Sequence, residues 1–306
     1  MSLGKDKALV ALGIVSFFWG TTYLASRIGA QEIPGFFLSA VRLFVSGVVL
    51  VTWFLLKGYK IPDRETLLKL AKSGVFMLIC GNGLQTWAMQ YITSGLAAII
   101  AALTPLLIVL FSFLMIKNTR ITKILIAGLL IGLAGISTIF YDYFQEFLNP
   151  KFLFGTVLSL VATIMWAFGS VYSAGKNVKI NLLYGAGLQM LIAGLIMLPV
   201  TLLTGKTVNL LHADTGALLA LLYLIVFGSL ITYSAYLYAM SNLPPSRVSV
   251  HAYINPILAV LLGWLILDEK LNIHVAIGTA ITLVGVYMVN HEFKKQAAKK
   301  AEICPE

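Results

Sequence analysis

Residues 247–267 read RVSVHAYINPILAVLLGWLIL, and the two halves of this stretch differ in character. Its length matches the about twenty residues that cross a hydrocarbon core, and its second half is as apolar as lipid requires. The first half carries Ser249, His251, Tyr253 and Asn255 within seven residues. Pro256 then has no backbone N–H, which frees the carbonyl of Ala252 four residues earlier. Polar groups and an open carbonyl persist at membrane depth only where protein or a water-filled cavity satisfies them. The plainer alternative is a Pro-kinked helix whose histidine is satisfied by a neighbour. His251 and Asn255 lie one turn apart on one face, which favours a helix that lines a cavity.

The rest of the chain supplies the membrane context. Of 306 residues, 59% are hydrophobic and 11% charged. The mean hydropathy is +0.91, well outside the range of soluble domains. Apolar runs predict ten spans, at about 8–27, 35–56, 73–91, 95–116, 122–141, 152–174, 182–203, 216–240, 247–267 and 272–290. The first follows Lys5 and Lys7 but lacks a convincing cleavage site for a signal peptide, so it is expected to be retained. With the N-terminus inside, seventeen of the 22 Lys and Arg fall on the cytoplasmic side. Only Arg27, Lys151, Lys206 and Lys270 fall outside, and Arg42 lies within the second span. The positive-inside rule therefore predicts a multi-pass protein of the cell inner (plasma) membrane with both termini cytoplasmic. The formal charge of +10 is read as this topology signal, not as nucleic-acid binding. Cys80 and Cys304 suggest neither a disulfide framework nor a zinc site, and no cofactor is expected.

The two halves repeat. Thr104-Pro105 and Asn255-Pro256 each precede an apolar run, at an offset of 151 residues that also maps Ala88-Met89 onto Ala239-Met240 and Gln85 onto Tyr236. Gly128 and Gly135 match Gly278 and Gly285 at an offset of 150, and Trp19 and Gly47 match Trp166 and Gly194 at 147. Five spans is an odd number, so the second half enters the membrane inverted with respect to the first. The expected fold is all-α integral membrane, with ten transmembrane helices as two inverted-topology five-helix repeats, which is an architecture of transporters. The expected divisions are 1–144, 145–291 and a basic cytoplasmic tail at 292–306.

The stretch WGTTYLASR at 19–27, Arg42 in the second span, the TP and NP kinks, and LDEKL at 267–271 resemble the drug/metabolite transporter superfamily in its ten-helix EamA branch. The resemblance covers essentially the whole chain. It implies a secondary transporter, commonly an exporter of amino acids or other small metabolites, with a central cavity between the repeats. One departure stands out: Gln189 occupies the place of Arg42 in the second half. The four-helix small multidrug-resistance relatives use a glutamate in their first helix to bind cations and protons. No Asp or Glu falls within any expected span here, which disfavours a cationic-drug antiporter of that type.

Two ionisable side chains fall inside the spans. Arg42 is costly in lipid and should face the bundle interior, where it could pair with a substrate carboxylate or phosphate or hold loop carbonyls. His251 could couple protons or donate to substrate. Around them Trp19, Thr22, Asn82, Gln85, Trp166, Tyr236 and Asn255 form an aromatic and polar set suited to stacking and hydrogen bonding with a small polar metabolite; for the tryptophans, an interface belt is the alternative. Arg27 is expected to snorkel or gate the outer mouth. Pro105 and Pro256, with small neighbours, would let the fourth and ninth helices bend as gates. Gly128, Gly132 and Gly135 form a small-residue stripe, either a dimer seam or a contact between halves.

The reading that follows is a non-enzymatic transporter of a small metabolite, monomeric or weakly dimeric, with the lipid bilayer as its other partner and no nucleic acid. A facilitative channel or uniporter is the second reading. An intramembrane enzyme is the third, and it lacks a nucleophile or paired acids in the spans.

Overall fold

The computed structural model describes residues 2–115, 122–142, 146–174, 180–243, 248, 251–269 and 273–303. Among them ten helices run back and forth: α1 Ser2–Glu32, α2 Gly35–Leu56, α3 Arg64–Ala88 and α4 Ser94–Met115, α5 Lys123–Asp142, α6 Pro150–Ala174, α7 Leu182–Leu203, α8 Thr215–Asn242, α9 His251–Leu267 and α10 Ile273–Ile303. Seven are long and apolar enough to cross a bilayer, and α5, α9 and α10 carry shorter apolar stretches. Phe17, Trp53, Leu130, Leu195, Leu219 and Val284 are exposed around the outside. Such a surface is stable against lipid tails and not against water.

Packing follows an internal two-fold. Exchanging α1–α5 with α6–α10 maps α2 against α7, and α5 against α10, onto themselves; it maps α1 against α8 onto α6 against α3, and α1 against α9 onto α6 against α4. Glycines make these crossings close. A Cβ on Gly47 would run into Leu191, and one on Gly194 into Phe44, its counterpart. On α5 and α10, Gly135 leaves room for Thr282 and Gly278, and Gly285 for Gly132 and Gly128. The glycine stripe is therefore a seam between the two halves.

α1 runs from Ser2 to Glu32, beyond the expected 8–27 at both ends, and three further differences from expectation stand out. α3 begins at Arg64 rather than near 73, because Asp63 accepts from the Thr66 N–H (3.1 Å) and caps a polar first turn. α10 continues to Ile303, past the end of its apolar run, since 296–302 are largely Ala, Lys and Glu, good helix formers. It buries Glu292 at 5% exposure, which was expected in the tail. The third difference is local widening: Val75–Gly83 of α3 and Leu224–Ile231 of α8 are π-helical, at matching places in the two repeats.

Candidate functional site

α1 shows where the site lies. Ala8, Ala11 and Val15 belong to one buried cluster, and Ala25 and Ala30 to another. Between them Trp19, Thr22, Tyr23 and Ser26 face a cavity of about 120 Å³. One water needs roughly 10–15 Å³ by this measure, so the space fits something larger. Both repeats contribute walls: Arg42 from α2, Asn82 and Gln85 from α3, Thr104 from α4, Trp166 from α6, Ser229 and Tyr233 from α8, and His251 and Asn255 from α9. The two π-helical segments present Gly81, Asn82, Gly228 and Ser229 to it. π-turns of this kind are frequent at functional sites.

The aromatic residues form one connected group. Trp19 meets Trp166 edge to face at 5.5 Å between centroids, Tyr236 at 4.8 Å and His251 at 5.2 Å. Tyr236 does not itself line the cavity; it backs Trp19 and His251 (5.8 Å) from behind. His251 Nδ1 lies 2.7 Å from the Val248 carbonyl. A carbonyl only accepts, so Nδ1 carries the hydrogen, and in the neutral ring Nε2 is left as an acceptor.

The polar residues divide into committed and open ones. Gln85 is committed: Nε2 donates to Ala97 O (3.3 Å) and Oε1 accepts from Ser159 (3.1 Å), tying α3 to α4 and α6. With its amide oriented as hydrogen bonding demands, Asn255 Nδ2 donates to His251 O (3.0 Å) and to Ser16 O on α1 (2.9 Å). Asn82 Oδ1 accepts from Ser39 (3.0 Å), and the Thr22 hydroxyl donates to Trp19 O (2.8 Å). Arg42 is 4% exposed, and its Nε donates to Ser229 Oγ at 2.7 Å. No carboxylate pairs with it among the described residues, and no Asp, Glu or Lys lines the cavity.

A second cavity of about 170 Å³ lies toward the end where α1 begins, lined by Lys69, Ser73, Tyr172, Gln189 and Leu237 among others. Gln189, the counterpart of Arg42, therefore faces a different space. The Tyr233 hydroxyl, on the wall of the central cavity, donates to Gln189 Oε1 at 2.5 Å. Tyr172 also lines this second space.

Toward the opposite end of α1 lies a second group of polar contacts. The Arg27 guanidinium donates to the Met89 carbonyl and feels the charge of Glu269. Asp268 takes a left-handed conformation (φ 52°) after α9, and the Glu269 N–H returns to Gly263 O (3.1 Å). This turn aims the Glu269 carboxylate at the start of α4. It accepts from the Ser94 N–H (2.8 Å), the Ser94 hydroxyl (2.9 Å) and the Gly95 N–H (3.3 Å). Pro105 sits in the first turn of the second segment of α4, Thr104–Met115, where its missing N–H costs little. Pro256 is interior to α9.

Sequence reasoning did not single out Ser229, Tyr233 or Glu269. Ser229 was within reach, since the 147-residue offset places it opposite Asn82.

A bundle of ten helices whose two halves together wall a central cavity is an architecture of membrane transporters. The chain belongs to the EamA-like transporter family, whose model matches residues 6–141 and again 153–291. It is 38% identical over 257 residues to the inner membrane transporter YedA of Escherichia coli K12, spanning 84% of this chain and 80% of that one. A chloroplastic WAT1-related protein of Arabidopsis thaliana is 28% identical (90% of this chain, 67% of that one), and the Bacillus subtilis transporter YoaV is 26% identical (94% and 98%). A crystal structure 21% identical in sequence shares the fold, with a TM-score of 0.69 over 95% of this chain and 98% of that one.

Proposed function

We propose that the protein is a secondary transporter that carries a small metabolite, an amino acid or related compound, across the inner (plasma) membrane by alternating access. One observation carries this reading: equivalent helices of both repeats wall a single polar cavity at mid-bundle. In an inverted repeat the two halves can exchange conformations, which turns a cavity open to one side into one open to the other. The tie of Glu269 to α4 and the Tyr233–Gln189 pair then act as the two gates, with Arg27 at the outer mouth and Pro105 and Pro256 as bending points. Charge placement supports cytoplasmic termini. The resemblance to amino acid and metabolite exporters supports outward transport. The glycine stripe is taken up by α10, which removes one dimer seam and favours a monomer over a weak homodimer.

The test is flux in proteoliposomes with a panel of radiolabelled amino acids and organic acids, with and without an imposed proton gradient. Saturable flux is expected. Conductance that rises without saturation would replace the carrier with a channel.

A further inference from the structure

The central cavity holds a buried cation that, among the described residues, has one hydrogen bond and no counter-ion. Arg42 is always charged, and at 4% exposure it has lost most of its hydration. An unpaired charge at membrane depth costs several kcal/mol, and natural sequences retain one where function uses it. Ser229 occupies Nε, which leaves the Nη edge. Gly228 lets the guanidinium pack close to α8: a Cβ there would stand 2.7 Å from Arg42 Nη2 and 3.1 Å from Thr22 Cγ2.

The rest of the wall narrows the ligand. Without Lys in the lining, one anionic charge balances the site, while a phosphate dianion would leave one charge over. His251, whose Nδ1 is committed to Val248 O, supplies an acceptor and not a second fixed cation. Trp19 and Trp166 give flat apolar surface. The second repeat offers Gln189 where the first has Arg42, and that side chain is held by Tyr233, so the charge lies in one half only.

Resting on the transport reading above, we infer that the substrate is an organic monocarboxylate with an apolar or aromatic body, its carboxylate paired two-pronged with the Nη edge of Arg42 and its body against Trp19 and Trp166. A guanidinium edge matches the planar geometry of a carboxylate.

Binding can be read without transport, from the intrinsic fluorescence and thermal stability of the purified protein. The probes are an aromatic monocarboxylate, its amide, the matching amine, a dicarboxylate and a phosphate monoester. The monocarboxylate is expected to bind, and its amide to bind roughly tenfold to a hundredfold more weakly, the worth of a charge-assisted hydrogen bond. Arg42→Gln should remove the difference between acid and amide; glutamine already stands at the equivalent position of the other half. Gly228→Ala, which pushes Nη2 aside, should weaken acid binding more than amide binding. Equal affinity for acid and amide, preference for the amine, or tightest binding of the dicarboxylate or phosphate ester would overturn the inference. Selective binding without flux would instead count against the transport reading and leave the carboxylate site standing.

Discussion

Trp19 and Trp166 occupy the same position in the two halves of the chain, 147 residues apart, and their rings meet edge to face with centroids 5.5 Å apart. Two copies of one residue touch only if they lie near the axis that relates the halves. The cavity therefore has an aromatic wall at the place that would move least in the proposed exchange of the halves. Trp19 also meets Tyr236 and His251, whereas Trp166 meets Trp19 and, more distantly, Tyr236 at 6.2 Å. Trp19→Ala is accordingly expected to raise the transport KM more than Trp166→Ala. The double variant should show coupling of about 0.5–1.5 kcal/mol, the usual worth of an aromatic pair. Strict additivity in KM would place the two rings in separate environments.

The Tyr233–Gln189 bond separates the central cavity from the second one, and its loss should be felt asymmetrically. Tyr233→Phe leaves Gln189 Oε1 buried without its donor, at a cost of about 1–3 kcal/mol. Replacing both partners with Tyr233→Phe and Gln189→Leu should cost less than the single change, since no orphaned group remains. Thermal melting in detergent measures both. A double variant worse than the single one would show that the pair does more than satisfy itself.

Glu269 is proposed to gate the opposite end. Glu269→Gln removes the charge from three hydrogen bonds to Ser94 and Gly95 and should loosen α4 from the α9–α10 turn. The readout is a cysteine at Ser26, on the cavity wall, in a background lacking Cys80 and Cys304. Labelling by an impermeant thiol reagent added from outside should rise severalfold, about what losing 1–2 kcal/mol from a closed state implies. Unchanged labelling would remove Glu269 from the gate. Gly263→Ala should act in the same direction, because its Cβ would strike the Glu269 carboxylate and the Ser94 hydroxyl.

Some of this was legible in the chain and some was not, for physical reasons. Arg42 announced itself because a charge inside an apolar run has few explanations. Trp19 and Trp166 did so because the repeat keeps register. Ser229 stayed hidden, since a serine on a membrane helix is equally at home bonding its own backbone, as Ser16 and Ser170 do here. Gln85 looked like a ligand group, but its amide is spent between Ala97 and Ser159; sequence shows which residue is polar and not which partner has claimed it. The π-helical widening of α3 and α8 leaves no mark on hydrophobic periodicity. Glu269 was visible only as part of LDEKL, because its role depends on a chain reversal at Asp268 that brings it to a residue 175 positions away.

Asp63 offers a pH-dependent handle outside the membrane. Hydrogen bonding from Thr66 holds its carboxyl below the usual range, so the folded-state value lies under the unfolded value of about 3.9. The cap is therefore fully present above the unfolded value and is lost as pH falls through the folded one. Hydrogen exchange in the first turn of α3 should accelerate, relative to the rest of the helix, on acidification through that window. Asp63→Ala should abolish the pH dependence and leave the turn frayed throughout. A first turn equally protected in the variant would mean that packing holds it.

The seam between α5 and α10 makes a sharper structural prediction. A Cβ at Gly135 would meet the Thr282 backbone and the Gly278 carbonyl, and one at Gly285 would meet Gly132 and the Gly128 carbonyl. Backbone cannot yield as a side-chain tip can, so Gly135→Ala and Gly285→Ala should each force the helices apart, at about 1–3 kcal/mol for an overpacked site. The internal two-fold requires the two costs to be similar. Gly13, with nothing within 4 Å of its Cβ position, is the control: Gly13→Ala should be neutral or stabilise by up to about 1 kcal/mol, through the greater helix propensity of alanine. Melting of the three variants in detergent tests the set. Equal tolerance at all three positions would contradict the close crossing, whereas loss at only one of the seam positions would show that the halves meet there less symmetrically than their packing indicates.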